Sequence, residues 1–171
     1  MEQPIEKEPS KLETLFFEEL KALYGAEQLQ LNVLPLLKRA ASSQKLKNVL
    51  ASHLGETREQ IGRLEAIFAR TGRAPEARTS EAIVGITREA ETVISETAPL
   101  TATRDAGLIA AVQKLEHYEI TNYGSLAEHA RTLDYDDIDL LLETSLMEEK
   151  EADDLLTALA ENYINGEAKE E

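Results

Sequence analysis

Apolar residues recur along this chain at three- and four-residue intervals, the spacing that lines one face of an α-helix. Phe16, Leu20, Leu23, Leu31 and Leu34 form such a face between about Lys11 and Ala41, with Ser10 placed to cap its first turn. Pro35, which lacks a backbone donor, predicts a kink there. After the polar connection Ser42-Ser43-Gln44, residues Leu46, Leu50, Leu54, Ile61, Leu64 and Phe68 predict a second helix from about Lys45 to Arg70, ended by Thr71-Gly72-Arg73-Ala74-Pro75. Ile83, Ile86, Ala90, Val93 and Ile94 predict a shorter helix that begins after Thr79 or Ser80 and closes at Pro99. A fourth helix, from about Thr103 to Thr132, carries Leu108, Val112, Leu115, Tyr123 and Leu126 on one face. Leu133-Asp134-Tyr135-Asp136 reads as a tight turn into a last helix, Asp137 to Asn165, with Ile138, Leu142, Leu146, Leu156 and Ala160 aligned. No segment shows the alternation of a strand. The pattern predicts an all-α protein, an antiparallel four-helix bundle of two helical hairpins with a short extra helix in the crossover. Residues 1–10 read as a flexible tail, 11–165 as one bundle domain and 166–171 as a charged tail.

Three glutamates interrupt the apolar faces. At about 100° per residue, Glu27 lies within about 40° of its helix's apolar stripe, Glu119 within about 40° of the fourth helix's stripe, and Glu149 within about 20° of Ile138, Leu142, Leu156 and Ala160 on the fifth. A lone buried carboxylate costs several kcal/mol or gives up its charge. One such residue is explained by a proton or a salt bridge, but three need a shared partner, and no Lys or Arg takes a comparable central position. The heights also agree. Glu27 stands 15 residues before Ser42 and Glu56 14 after it; Glu119 stands 15 before Asp134 and Glu149 15 after it. In antiparallel neighbours, equal distance from the turn means equal height, so the four acids are expected in one mid-bundle layer.

Other groups lie near this layer. His53 falls about 40° from the centre of the second helix's apolar face, whereas Glu56 lies about 100° off and borders it, so phase alone fits a surface position as well as a ligand. Glu116 stands one turn before Glu119, about 60° off centre, and Asp153 one turn after Glu149, about 40° off. His117 points away, Glu148 is offset, and His129 reads as a surface residue near a helix C-terminus. Tyr24, Tyr118 and Tyr123 read either as hydrogen-bond donors to the acids or as core packing.

Composition narrows the chemistry. The 171 residues contain no cysteine, which excludes disulfides, zinc ribbons and thiol catalysis and leaves His and carboxylates as metal ligands. The acids number 33 against 18 Lys and Arg, a net charge of -15. Such a field repels phosphate backbones and anionic lipid and attracts cations, so neither nucleic acid nor membrane is an expected partner. No apolar run approaches the roughly 20 residues of a membrane span. The N-terminal segment lacks a basic region followed by an apolar one, so a cytoplasmic location is expected. Carboxylates with one imidazole suit iron or manganese better than a tetrahedral structural zinc.

The segments Leu23-Tyr24-Gly25-Ala26-Glu27-Gln28, His53-Leu54-Gly55-Glu56-Thr57, Glu116-His117-Tyr118-Glu119-Ile120 with Tyr123-Gly124, and Glu148-Glu149-Lys150 with Asp153 together give the sequence a resemblance. It resembles the YciE/YciF family of bacterial ferritin-like stress proteins over nearly all of the expected bundle. The resemblance implies a ferritin-like fold similar in architecture to rubrerythrin and manganese catalase, and a homodimer. It also implies a dimanganese- or diiron-type centre. The expected metal ligands are Glu27, Glu119 and Glu149, from phase and height, then Glu56, whose orientation rests on the resemblance, and the one-turn neighbours His53, Glu116 and Asp153; of two metal ions, iron is expected first, with manganese or zinc as alternatives. The wider ferritin-like pattern places Glu-x-x-His on two helices. Here the second helix reverses the order, as His53-x-x-Glu56, and the fifth offers Glu149 and Asp153 without a His, so the centre is poor in nitrogen.

Three functions fit these residues. A diiron-carboxylate protein of the stress response would oxidise Fe(II) or handle O₂ or peroxide. A non-catalytic structural or storage bundle would use metal only to stabilise its fold. A metal-free interaction bundle would carry the acids as vestiges. No nucleophile triad, phosphate loop or Gly-rich cofactor motif points to another enzyme class.

Overall fold

The computed structural model describes residues 9–171, so most of the expected N-terminal tail lies outside the described residues; Pro9 and Ser10 are exposed. Five main helices follow: α1 (Lys11–Ala40), α2 (Gln44–Arg70), α3 (Glu81–Glu96), α4 (Ala102–Thr132) and α5 (Ile138–Leu159). No strand occurs among the described residues. The caps are side-chain oxygens accepting otherwise free N–H groups. Ser10 accepts from Glu13 N at 3.0 Å, Ser43 from Leu46 N at 3.5 Å and Thr101 from Arg104 N at 3.1 Å. α1 continues through Pro35 without a break.

α1 pairs with α2 and α4 with α5, and the hairpins close a bundle through α1–α4 and α2–α5 contacts, while α3 lies against α4 and touches α1. Two adjacent polar residues of α4 fix the connections. Asp105, 1% exposed, accepts from the backbone N–H groups of Ser42 and Ser43 at 2.7 and 2.6 Å, holding the first hairpin's turn. Arg104 donates to the Ile94 carbonyl at 2.8 Å and to the Thr97 carbonyl, closing the C-terminus of α3.

The last helix ends later than its periodicity predicts. One wider, π-type turn (Ala160–Ile164) leads into α6 (Asn165–Glu170), so residues 166–170 continue the helix. That turn buries Ile164 and brings Glu171 to the start of α4, where its carboxylate accepts from Ala102 N at 2.7 Å and Thr103 N at 3.0 Å. Those N–H groups hold the Glu171 carboxyl below its usual range. The attraction of an acid to a helix N-terminus explains why a charged tail stays helical and docked.

The crossover between α2 and α3 crosses α1 closely. Arg78 N donates to the Lys21 carbonyl at 2.9 Å, and a Cβ added at Gly25 would lie 2.5 Å from the Arg78 carbonyl oxygen. Helix propensity favours Ala over Gly by about 1 kcal/mol, but overpacking against backbone costs about 1–3 kcal/mol. The balance is a net cost of up to about 2 kcal/mol, so Gly25→Ala is expected to lower the melting temperature by up to roughly 8 °C. Gly62→Ala, whose Cβ would meet nothing within 4 Å, is expected to raise it slightly. Thermal denaturation of the two variants checks the contrast.

The apolar core is divided. One cluster, including Leu37, Leu46, Leu50, Leu108, Val112 and Leu156, fills the end of the bundle that holds the α1–α2 turn. The other, including Phe16, Leu20, Leu64, Phe68, Leu126 and Leu142, fills the end that holds the α4–α5 turn. Between them lies a buried polar layer.

Candidate metal centre

All four long helices contribute to this layer. α1 supplies Glu27 and Gln30, α2 supplies His53, Thr57 and Gln60, α4 supplies Glu116 and Glu119, and α5 supplies Glu149; each is at most 2% exposed. They sit at the helical phase of the flanking leucines, so the packing that buries those leucines also buries these polar groups. Four of them converge: His53, Glu116, Glu119 and Glu149 each place one ligand-type atom within 4.8 Å of the others. His53 Nε2 lies 3.3 Å from Glu116 Oε1 and 4.0 Å from Glu149 Oε2. Glu27 stands beside this group, its Oε1 accepting from the Tyr123 hydroxyl at 2.5 Å.

Two amides flank the acids. Gln30 donates to Glu119 Oε1, and Gln60 donates to Glu149 Oε1 and, at 3.1 Å, to Glu148 Oε2. Arg63, the nearby cation, forms a two-pronged pair with Glu148 at 2.6 Å in both arms. It thus neutralises Glu148 and leaves the interior acids without a Lys or Arg partner.

The remaining expected residues lie at the edges of the layer. Glu56 is 38% exposed at its side chain and approaches the outer nitrogen of His53, Nδ1, at 3.5 Å. Asp153, 18% exposed at its side chain, accepts from Gln113 at 2.9 Å and lies 3.5 Å from the exposed ring of His117. The structure brings neither into the four-residue group. His129 is half-buried near the end of α4, 3.7 Å from Glu19. Of the tyrosines, Tyr123 donates to an interior acid, while Tyr24 donates outward to Glu65 at 2.8 Å. The sequence reading missed Gln30, Thr57 and Gln60. Their helical phase carried the signal, because Gln30 is one turn from Glu27 and Gln60 two turns from His53.

The electrostatics record how these charges oppose one another. Burial, then the Glu149 charge, pushes Glu27 from the usual 4.5 up to about 8, against the pull of Tyr123. Burial and the neighbouring acids raise Glu116 and Glu119 well above the ordinary carboxyl range. Burial pulls His53 down, but Glu56, Glu149 and Glu27 outweigh it and leave the ring more basic than usual. Glu56, held by His53, is lowered.

The layer also contains unpaired atoms. Glu27 Oε2, both oxygens of Glu116, Glu119 Oε2, Glu149 Oε2 and both ring nitrogens of His53 are buried without a hydrogen-bond partner. Each such group costs about 1–3 kcal/mol, and more when charged. Oxygen donors and one imidazole converging with free lone pairs are what a divalent cation requires, so the His53, Glu116, Glu119 and Glu149 group could hold metal.

Comparison with known proteins bears on this arrangement. A family model described as a domain of unknown function, DUF892, matches residues 11–169. Protein YciF of Escherichia coli (strain K12) is 40% identical over 159 residues, which cover 92% of this chain and 95% of that protein. The crystal structure of the E. coli stress protein YciF matches with a TM-score of 0.86 at 39% identity, covering 92% of this chain and 99% of that one. YcfI from Rhodopseudomonas palustris matches with a TM-score of 0.84 at 37% identity, covering 90% and 97%. A protein from Xanthomonas campestris pv. campestris, 15% identical with a TM-score of 0.73 over 94% of this chain and 98% of its own, shares the fold alone.

Proposed function

The chain belongs to the DUF892 family, as a YciF-like helical bundle, and from that premise we propose that its polar layer holds two divalent metal ions, iron in the first place, in a protein of the stress response. The observation that carries this reading is the set of unpaired carboxylate oxygens and one imidazole nitrogen that three long helices bring together, with Glu27 of the fourth beside them. In this reading Glu27, His53, Glu116, Glu119 and Glu149 are the interior ligands, and Glu56 and Asp153 complete the set from the rims. The stress role is carried over from the description of YciF. The homodimer and cytoplasmic location implied by the resemblance belong to the same proposal.

Two adjacent redox-active ions would supply electrons to O₂ or peroxide, or be oxidised as substrate Fe(II). The chain's own part is positional and protonic. Tyr123 fixes one oxygen of Glu27 and leaves the other free. Gln30 and Gln60 do the same for Glu119 and Glu149. The apolar clusters on both sides limit water, which strengthens every interaction of the acids with a cation. The raised carboxyls hold protons until a cation displaces them, so loading releases acid.

Anaerobic addition of Fe(II) to chelator-treated protein, followed by air, tests the reading. Two irons per chain and a new near-ultraviolet ferric absorbance are expected. Binding of one iron or none, or two that stay ferrous in air, would overturn the oxidative reading. The structural alternative is favoured by one observation, that the layer joins two separate apolar clusters. On that reading Glu27→Ala lowers the melting temperature of loaded protein and no Fe(II) oxidation accompanies binding.

A further inference from the structure

The two sides of the polar layer are unequal. On the α1 side, α3 and the crossover cover the bundle, and the cavity of about 330 Å³ there is lined by Gly25, Arg78 and Ile83 and by none of the interior acids. The α2–α5 groove is different. It holds a cavity of about 200 Å³ whose lining includes His53, the interior ligand on the proposal above, together with Glu56, Glu148, Glu151, Val49 and Leu155. Both nitrogens of the His53 ring are buried and without a hydrogen bond. Glu56 lines the same cavity beside that ring, 3.5 Å from Nδ1. Arg63 neutralises Glu148, so Glu56 and the exposed Glu151 set the sign of the mouth.

We propose that the α2–α5 groove is the route by which divalent cations enter the centre, with Glu151 and Glu56 drawing the ion in and the His53 ring forming the inner threshold. This rests on the metal-binding reading but adds to it a direction of entry and residues that set the rate. An acidic mouth with low-dielectric walls concentrates cations and speeds their capture, and the gain falls with ionic strength. Val49 and Leu155 are the apolar walls. Glu151 is placed among no ligands, so its loss should change how fast the ion arrives and not how many are held. Leu155, 54% exposed, can take a larger ring without disturbing the core.

Stopped-flow mixing of chelator-treated protein with Co(II), followed by the visible absorbance of the bound ion, separates rate from capacity. Glu151→Gln is expected to slow loading by about 2- to 5-fold at low ionic strength and to weaken its salt dependence. Leu155→Trp is expected to slow it about 10-fold or more by narrowing the mouth, on the same scale of capture rates. Both should reach the wild-type number of ions per chain at equilibrium. Glu91→Gln on α3, which removes the same charge far from the groove, should load at the wild-type rate. Circular dichroism confirms that each variant is folded. Wild-type loading rates in both groove variants, or equal slowing in Glu91→Gln, would overturn the route while leaving the metal centre standing. Failure of the wild-type protein to bind Co(II) at all would instead remove the reading on which the route rests.

Discussion

Glu119→Gln is expected to make the metal-free protein more stable and to abolish most of the stabilisation that metal confers. Glu119 is fully buried, one oxygen is without a hydrogen bond, and burial together with Glu27, Glu149 and Glu116 opposes its charge. A glutamine of the same shape avoids both the buried charge and the cost of holding a proton above the ordinary carboxyl range, and it can still face its carbonyl oxygen to the Gln30 amide. Replacing a strained buried charge by a neutral group of similar volume commonly gains about 1–4 kcal/mol. For a chain of this length that corresponds to a rise of roughly 3–10 °C in melting temperature near pH 8. On the proposed function the same change removes a ligand oxygen, so the metal-dependent rise should largely disappear and the number of ions per chain should fall. Calorimetry with and without chelator reads both effects. A chelated variant less stable than wild type would show that the Glu119 charge stabilises the bundle by itself, and the metal reading would lose its main support.

The second large effect is on pH. Glu27 moves from a usual 4.5 to about 8 in the folded protein, and Glu116 and Glu119 move in the same direction. The folded state therefore binds protons that the unfolded chain has already released. Stability from this source is complete below about pH 4.5 and is lost as pH rises through about 8. His53, also raised, has the same sign; Glu56, lowered and partly exposed, has the opposite sign and a small weight because solvent screens it. Each pKa unit is worth about 1.4 kcal/mol, so the layer contributes on the order of several kcal/mol across this window. The chelated protein should lose roughly 5–15 °C of melting temperature between pH 5 and pH 8.5. Metal binding should oppose the trend, because a cation takes the place of the protons and binds more tightly as they leave. A flat or rising profile for the chelated protein would mean that the interior acids are ionised without penalty, contrary to their burial.

Helix phase and height located Glu27, Glu119 and Glu149 from the sequence, because all three depend on one rigid periodicity and on short turns that fix antiparallel neighbours. The same arithmetic put Glu56 about 100° from its face, and the structure gives that angle its meaning as a place in the groove outside His53. The amides Gln30 and Gln60 were equally accessible to phase. They were missed because an uncharged polar residue on an apolar face does not signal itself as a carboxylate does. The docked end of the chain was not legible, since the attraction between Glu171 and the start of α4 joins residues far apart in sequence. Nor was the close pass of the crossover at Gly25, which depends on a loop path that periodicity does not describe.

The polar layer takes its members from α1, α2, α4 and α5, and its pairs lie far apart along the chain: Gln30 meets Glu119, Gln60 meets Glu149, and Tyr123 meets Glu27. Contacts of such long range form late, after the local helices and hairpins, because each closes a large loop. The first hairpin holds only Glu27, His53 and Glu56 of the expected ligand set, and Glu116, Glu119, Glu149 and Asp153 belong to the second. A nascent chain therefore offers a passing ion at most a few mobile groups, and the converging set comes into being only when folding is finished. The order is set by topology: the proposed metal centre is a property of the completed architecture, and no single hairpin contains it.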